Sequence, residues 1–201
     1  LHGYVQLLQG LELDERGAMA AASLLNEVRN LSEMVTAFLN FARPQPLELD
    51  NVALPELLQD CAAELKSVYQ ERRVALNIEA DEGLPEVRAD VRMLRQAILN
   101  LLRNAAQAIA ETSDLRTVNM RCFKQSDPDG DKWVVTEIED TGEGIESSDL
   151  QRIFIPFFTT KEKGHGIGLA LAHRVITEHG GTLTAAPAKT GGALFTLRLP
   201  L

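Results

Sequence analysis

The sequence predicts an α+β protein, a layer of helices against a mixed sheet, preceded by a helical hairpin. Three observations carry this. The opening stretch keeps a helical apolar rhythm, while from Asn51 helical and alternating segments are interspersed. Two pairs of strand-like segments are joined by turn residues, as hairpins require.

In order, Leu1, Tyr4, Leu8 and Leu11 recur at helical spacing and end near the polar turn Glu12–Glu15. Gly17, Ala21, Leu24, Val28, Leu31, Val35, Phe38 and Ala42 then sustain a 4-3 pattern, the seam of a helix that packs lengthwise on other helices. Arg43-Pro44-Gln45-Pro46 stops it. A hairpin from a second chain is the expected cover for that seam, the chain's own C-terminal part being the alternative. The expected domains are 1–43 (hairpin), 44–51 (linker) and 52–201 (a mixed domain).

Leu54–Tyr69 has one helical pattern with Pro55 in its first turn, and Val74–Ala80 alternates as a strand. Asp90 suits the N-cap of a long helix running to about Glu111, with core positions Leu94, Ile98, Leu101, Ala105 and Ala108. Val118–Lys124 and Trp133–Glu139 read as antiparallel strands across Asp127-Pro128-Asp129-Gly130, an acidic turn expected to be solvated. Ile167–His179 reads as a helix ended by Gly180-Gly181, and Thr182–Ala186 with Ala193–Leu199 closes the sheet.

A chain of 201 residues accommodates one good-sized domain plus a smaller element. Its 20 basic against 29 acidic residues give a net charge of −9, which speaks against nucleic acid as a partner. Leu1–Leu11, the longest uncharged run, is far short of the roughly 18 apolar residues of a membrane span and carries no signal-peptide features. Cys61 and Cys122 suit a reducing compartment, so the expected location is cytoplasmic.

Four segments carry chemistry. Asn100, Asn104 and Gln107 line one helix face, where an amide oxygen suits Mg²⁺ beside water and phosphates; surface amides are the plainer alternative. Glu139-Asp140-Thr141-Gly142-Glu143-Gly144-Ile145 follows a strand. There a carboxylate can accept from an amino group such as the exocyclic amine of adenine, with Ile145 as flat apolar contact. A tight turn remains an alternative; a calcium loop lacks the further ligands. Phe154–Lys161 combines three phenylalanines with a lysine able to reach a phosphate, or forms a buried edge with a solvated lysine. Gly164-His165-Gly166-Ile167-Gly168-Leu169 opens a helix, presenting N–H groups to anions, without the spacing of a Walker loop or dinucleotide fingerprint. His173 and His179 have no companions at metal spacing.

In this order, the four segments resemble the nucleotide-binding boxes of sensor histidine kinases, within the superfamily shared with gyrase, MutL and a heat-shock chaperone. The resemblance covers roughly Leu94 to Leu199, and the short Lys161–Gly164 connection is most similar to the nitrogen-regulation type with an abbreviated lid. It implies a Bergerat (GHKL) sandwich that holds ATP and Mg²⁺. On that resemblance Asn104 is the metal ligand, Asn100 its companion, and Asp140 the adenine-reading carboxylate beside Gly142, Gly144 and Ile145. Gln107, Ala108, Phe154, Thr160, Lys161, Gly164, His165, Gly166, Ile167, Gly168 and Leu169 complete the nucleotide set, and Thr196 joins the adenine's water network. Gln107 stands where many relatives carry lysine or arginine, and His165 where threonine or serine is common.

The hairpin, 1–43, resembles the later part of the kinase dimerisation and phosphoacceptor domain. Leu1-His2-Gly3-Tyr4 matches the end of its phosphoacceptor box, so the acceptor histidine is expected about nine residues upstream of Leu1, and His2 is not it. No catalytic residue is therefore expected in this chain, which should bind ATP without phosphorylating itself. The implied partners are a response-regulator receiver domain and a second copy of the chain. Any membrane segment is expected outside these residues, with the chain as the cytoplasmic part. The alternative function is an ATP-gated scaffold without phosphotransfer.

Overall fold

The computed structural model describes residues 15–42, 46–110, 113–161 and 165–201. The predicted first helix, the stop at 43–45, Glu111 and Gly164 lie outside them. The chain divides into two units, Leu1–Gln45 and Pro46–Leu201.

In the first unit, helix α1 runs Glu15–Ala42 through the 4-3 pattern. Ala21 on that stripe is buried, whereas Leu24, Leu31 and Val35 are 53%, 51% and 55% exposed. No helix among the described residues is long and apolar enough to cross a membrane.

The second unit begins earlier than the expected linker allows. Strand β1 (Asp50–Val52) pairs antiparallel with β3 (Val87–Ala89), and the Glu48 N–H donates to the Asp90 carboxylate at 3.2 Å. Residues 46–51 read as linker because three residues are too few to show alternation.

The predicted helix Leu54–Tyr69 is two helices, α2 (Leu54–Glu64) and α3 (Lys66–Glu71). They meet at Leu65, through which the Cys61–Leu65–Tyr69 hydrogen bonds still run, and Leu65 and Tyr69 are buried on one face. Helix α4 (Val91–Ala108) starts as the sequence predicts, with Asp90 Oδ1 accepting from the Met93 N–H at 3.0 Å, and stops three residues short of Glu111. Its stripe of Leu94, Ile98, Leu101 and Ala105 is fully buried, while Ala108 is only half-buried. Helix α5 (Gly168–Glu178) ends where the Gly180 and Gly181 N–H groups cap the carbonyls of Thr177 and Ile176.

Strands β2 (Ala75–Ala80), β4 (Thr117–Ser126), β5 (Lys132–Asp140), β6 (Thr182–Pro187) and β7 (Ala193–Pro200) form one sheet in the order β2-β4-β5-β7-β6. Only β2 and β4 run parallel, so the sheet is mixed, as expected. Alternation sorts the strands, except that Val135 of β5 is buried beside Val134 and Thr136. Val118, Met120, Val134, Ile138, Phe195, Leu197 and Leu199 are buried under α4 and α5. Asp140 shares that inner face, being aligned with Val118 and two residues beyond Ile138.

One smaller expectation needs correction. Asp127, read as part of a solvated turn, is bound by Arg198 Nη2 at 2.6 Å and by Trp133 Nε1 at 2.8 Å. The strands bring these residues together from 71 and 6 positions away, which no local pattern reveals. His179 is buried and hydrogen-bonded, as a structural histidine should be. Cys61 and Cys122 are buried and form no disulfide, and burial pushes the Cys61 thiol up to about 11.

Candidate functional site

Asp140, the last residue of β5, is 1% exposed. Its Oδ1 accepts from the Gly142 N–H at 2.8 Å and the Ala193 N–H at 3.2 Å, both bonds falling on one oxygen. Burial pushes the carboxyl above its usual range; those two N–H groups and then the Lys161 charge oppose the shift. A buried acceptor committed on one oxygen has its other lone pairs for a donor brought by a ligand.

The backbone around Asp140 requires glycine at two places. A Cβ on Gly142 would lie 2.6 Å from the Ala108 carbonyl oxygen and 2.8 Å from the Ala108 Cβ. A Cβ on Gly192 would overlap the Asp140 carbonyl and come within 2.7 Å of its Oδ1. The turn after β5 is therefore pressed against the end of α4, where the Glu143 N–H also donates to the Ala108 carbonyl at 3.2 Å. This closes one orphan carbonyl of α4. Arg72 Nη1 reaches a second, on Ala106, at 3.5 Å.

Along α4, Asn100 and Asn104 are half-buried and Gln107 is exposed. Asn100 lies against the first residue of α5: a Cβ on Gly168 would be 3.7 Å from its Cγ. Lys161 is half-buried with Nζ 3.5 Å from the Asn104 carbonyl oxygen. Burial lowers its ammonium below the usual range; Glu143 and Asp140 counter this, and Arg72 adds to it. Lys161 thus stands between α4 and two carboxylates. Tyr69 borders the same ground. Its hydroxyl donates to the Leu102 carbonyl at 2.9 Å and is pushed well up by burial and then by the Asp140 charge.

The phenylalanine segment is anchored from both sides. Phe154, in a 3-10 turn at Arg152–Phe154, packs its ring 4.9 Å from that of His173 on α5. The Arg152 guanidinium covers the Phe158 ring at 4.4 Å. The Phe157 N–H donates to the Gly166 carbonyl at 2.9 Å, which ties this segment to the glycine loop. Ile167 is buried as the N-cap of α5, and His165 and Leu169 are half-buried.

The structure therefore brings together Asn100, Asn104, Ala108, Asp140, Gly142, Lys161 and Gly168. Gly144 and Ile145 follow in the same turn, and a Cβ on Gly144 would sit 2.8 Å from the Gly191 carbonyl oxygen. Thr160 is exposed. Thr196 is a correction. It pairs with Glu137 and Thr184, between buried Phe195 and Leu197, so it faces the outer side of the sheet, away from Asp140. Reading Phe195-Thr196-Leu197 without strand parity caused that error. The residue of β7 that meets Asp140 is Ala193, through its backbone N–H, and the enclosing residue is Gly192. The Gly191-Gly192 pair was a visible signal for this; Tyr69 and Arg72 left none. Among the described residues no group of three or more His, Cys, Asp or Glu is placed to hold a metal.

Comparisons with known proteins place the chain in a family. Residues 89–201 match the family described as histidine kinase-, DNA gyrase B-, and HSP90-like ATPase. The chain belongs to that ATP-binding family and is homologous to sensor histidine kinases. It is 34% identical over 201 residues to the signal transduction histidine-protein kinase AtoS of Escherichia coli (strain K12), covering all of this chain and 32% of that protein. It is 32% identical over 188 residues to the sensor histidine kinase ZraS of Klebsiella oxytoca, covering 94% of this chain and 39% of that protein. The chain thus spans about a third of the length of these relatives. Among solved structures, full-length ShkA in complex with AMPPNP matches with a TM-score of 0.72 at 25% identity, covering 98% of this chain and 42% of that one. The nucleotide-free catalytic domain of the histidine kinase ThkA matches with a TM-score of 0.64 at 25% identity, covering 76% of this chain and 95% of that one.

The contact between Gly142 and α4 is directly testable. Gly142→Ala is expected to push the end of α4 away from β5, costing about 1–3 kcal/mol in stability and weakening nucleotide binding by roughly tenfold or more. Chemical denaturation and calorimetry with an ATP analogue check both; unchanged values would show that the close approach is not required.

Proposed function

We propose that this chain is the catalytic region of a sensor histidine kinase. It binds ATP with Mg²⁺ and delivers the γ-phosphoryl group to a histidine for relay to an aspartate of a response-regulator receiver domain. The observation that carries the reading is Asp140, a buried carboxylate with Oδ1 held by two backbone N–H groups and glycines at its walls. An acceptor so fixed suits the exocyclic amine of adenine, which offers an N–H and no charge.

The remaining residues take roles consistent with their positions. Gly142, Gly144 and Ile145 border the base. Lys161 and the N–H groups at His165, Gly166, Ile167, Gly168 and Leu169 face the phosphates, at the positive end of the α5 dipole. Asn104, with Asn100 beside it, is the amide suited to hold Mg²⁺ together with water and phosphate oxygens, and the ion supplies neutralisation of phosphate charge. Lys161 holds a proton at Nζ and leaves the Asn104 carbonyl to meet a phosphate. The Phe154–Lys161 segment, fixed by its rings, keeps water from the reacting end. Catalysis here is positioning and charge balance.

Residues 1–43 belong in this reading to the dimerisation and phosphoacceptor hairpin, with the chain in the cytoplasm. The exposed Leu24, Leu31 and Val35 of α1 fit a seam completed by a second copy. Sedimentation equilibrium is expected to give a dimer for this chain and a shift towards monomer for Leu31→Lys; a wild-type monomer at micromolar concentration would contradict the seam.

Asp140→Asn tests the site. With Oδ1 still held by Gly142 and Ala193, the amide would turn its NH₂ towards the base amine, donor against donor. Nucleotide affinity is expected to fall at least about 100-fold, and the full-length kinase should lose acid-labile label on histidine. The sign for stability is opposite. A carboxyl raised by burial stabilises the fold when protonated, and that contribution is lost as pH rises through its folded value. At neutral pH the variant should therefore melt at or above the wild-type temperature. Undiminished ATP affinity would sink the assignment.

A further inference from the structure

Helices α4 and α5, which carry the site, pack against each other, and two of their contacts frame the pair. At one, Asn100 lies against Gly168. At the other, the Asp90 N–H donates to His179 Nε2 at 2.9 Å. The stretches Asp90 to Asn100 and Gly168 to His179 are each roughly 15–17 Å long at 1.5 Å per residue. The helices therefore run antiparallel, with the 11-residue α5 clasped at its two ends along the first part of the 18-residue α4, which continues past Asn100 to Ala108.

The clasp away from the site is built with care. Asp90 and His179 are 2% and 7% exposed. His179 Nδ1 lies 2.7 Å from the Val175 carbonyl oxygen, so a neutral imidazole places its single N–H there and leaves Nε2 as the acceptor for Asp90. The Asp90 side chain meanwhile accepts from Met93 and, through Oδ2, from the Glu48 N–H, with Arg92 Nη2 3.6 Å from the same oxygen. One residue thus holds the start of α4, the end of α5 and the chain at Glu48, just where the second unit begins.

We propose that Asp90 and His179 are positioning residues forming a latch. Through it the chain at Glu48 sets the register of α4 against α5, and so the affinity of the nucleotide site. The inference rests on the nucleotide reading above. Linkage makes it reciprocal: if the latch tunes nucleotide affinity, nucleotide must tighten the latch.

Amide hydrogen exchange on the 201-residue chain, followed residue by residue, tests this with AMPPNP and Mg²⁺ as probe. His179→Asn keeps a donor for Val175 but offers nothing at the Nε2 position; His179→Gln returns an acceptor there. Without nucleotide, His179→Asn is expected to speed Glu48 exchange about tenfold or more, and His179→Gln to stay within about threefold of wild type. Saturating AMPPNP should slow Glu48 exchange in wild type and His179→Gln, and much less in His179→Asn. Glu48 exchange that ignores the substitution, or that ignores AMPPNP where Gly142 responds to it, overturns the latch. Gly142 exchange reports binding in the same samples. If AMPPNP leaves Gly142 unchanged, the nucleotide reading fails and the nucleotide-free comparison still decides the latch. Should His179→Asn fail to fold, the wild-type response of Glu48 to AMPPNP decides it.

Discussion

One carboxylate oxygen organises the second unit. Asp140 Oδ1 is shared by the N–H groups of Gly142 and Ala193, and this joins the end of β5 to the turn after it and to the start of β7. The backbone must then pass so close that Gly192 and Gly142 admit no side chain, and Gly142 in turn abuts Ala108 at the end of α4. The sheet thereby fixes the helix on which Asn100 and Asn104 sit. A buried carboxyl costs folding free energy unless its lone pairs are met. Protein N–H groups meet one side of Asp140, and the other side is the part a ligand can use. Under the proposed nucleotide reading, stability and binding therefore pull against each other at this residue.

Charge balance follows the same economy. A chain of net charge −9 has little to offer a polyphosphate by bulk attraction. What it has instead is placed: Lys161 half-buried against Asn104, with Glu143 and Asp140 opposing the effect of burial on its charge, and a helix N-terminus at Gly168. Arg72 stands beyond, on the Ala106 carbonyl, where its charge also suits the C-terminal end of α4.

Much of this was legible before any coordinates. Asp90 reads as a cap because the residue type and the apolar stripe after it both demand one, and the paired glycines around Asp140 announce a close backbone approach. What stayed hidden was either too short or too distant. Three-residue β1 and β3 carry no period, so residues 46–51 looked like linker. The break at Leu65 leaves Leu65 and Tyr69 on one buried face, so helical spacing continues straight through it. Thr196 lies on the outer face of β7, which strand parity decides and a three-residue motif does not. Arg198 and Asp127, and Tyr69 and Leu102, meet only through the fold.

The claim that Asp140 reads an amino group is tested most directly by changing the base and leaving the protein intact. Calorimetry with ATP and with inosine triphosphate, which puts an oxygen where adenine has its amine, isolates that contact. Acceptor would then face acceptor across a buried pair, so inosine triphosphate should bind at least about 100-fold more weakly than ATP. Equal affinity for the two nucleotides would contradict the central role of Asp140.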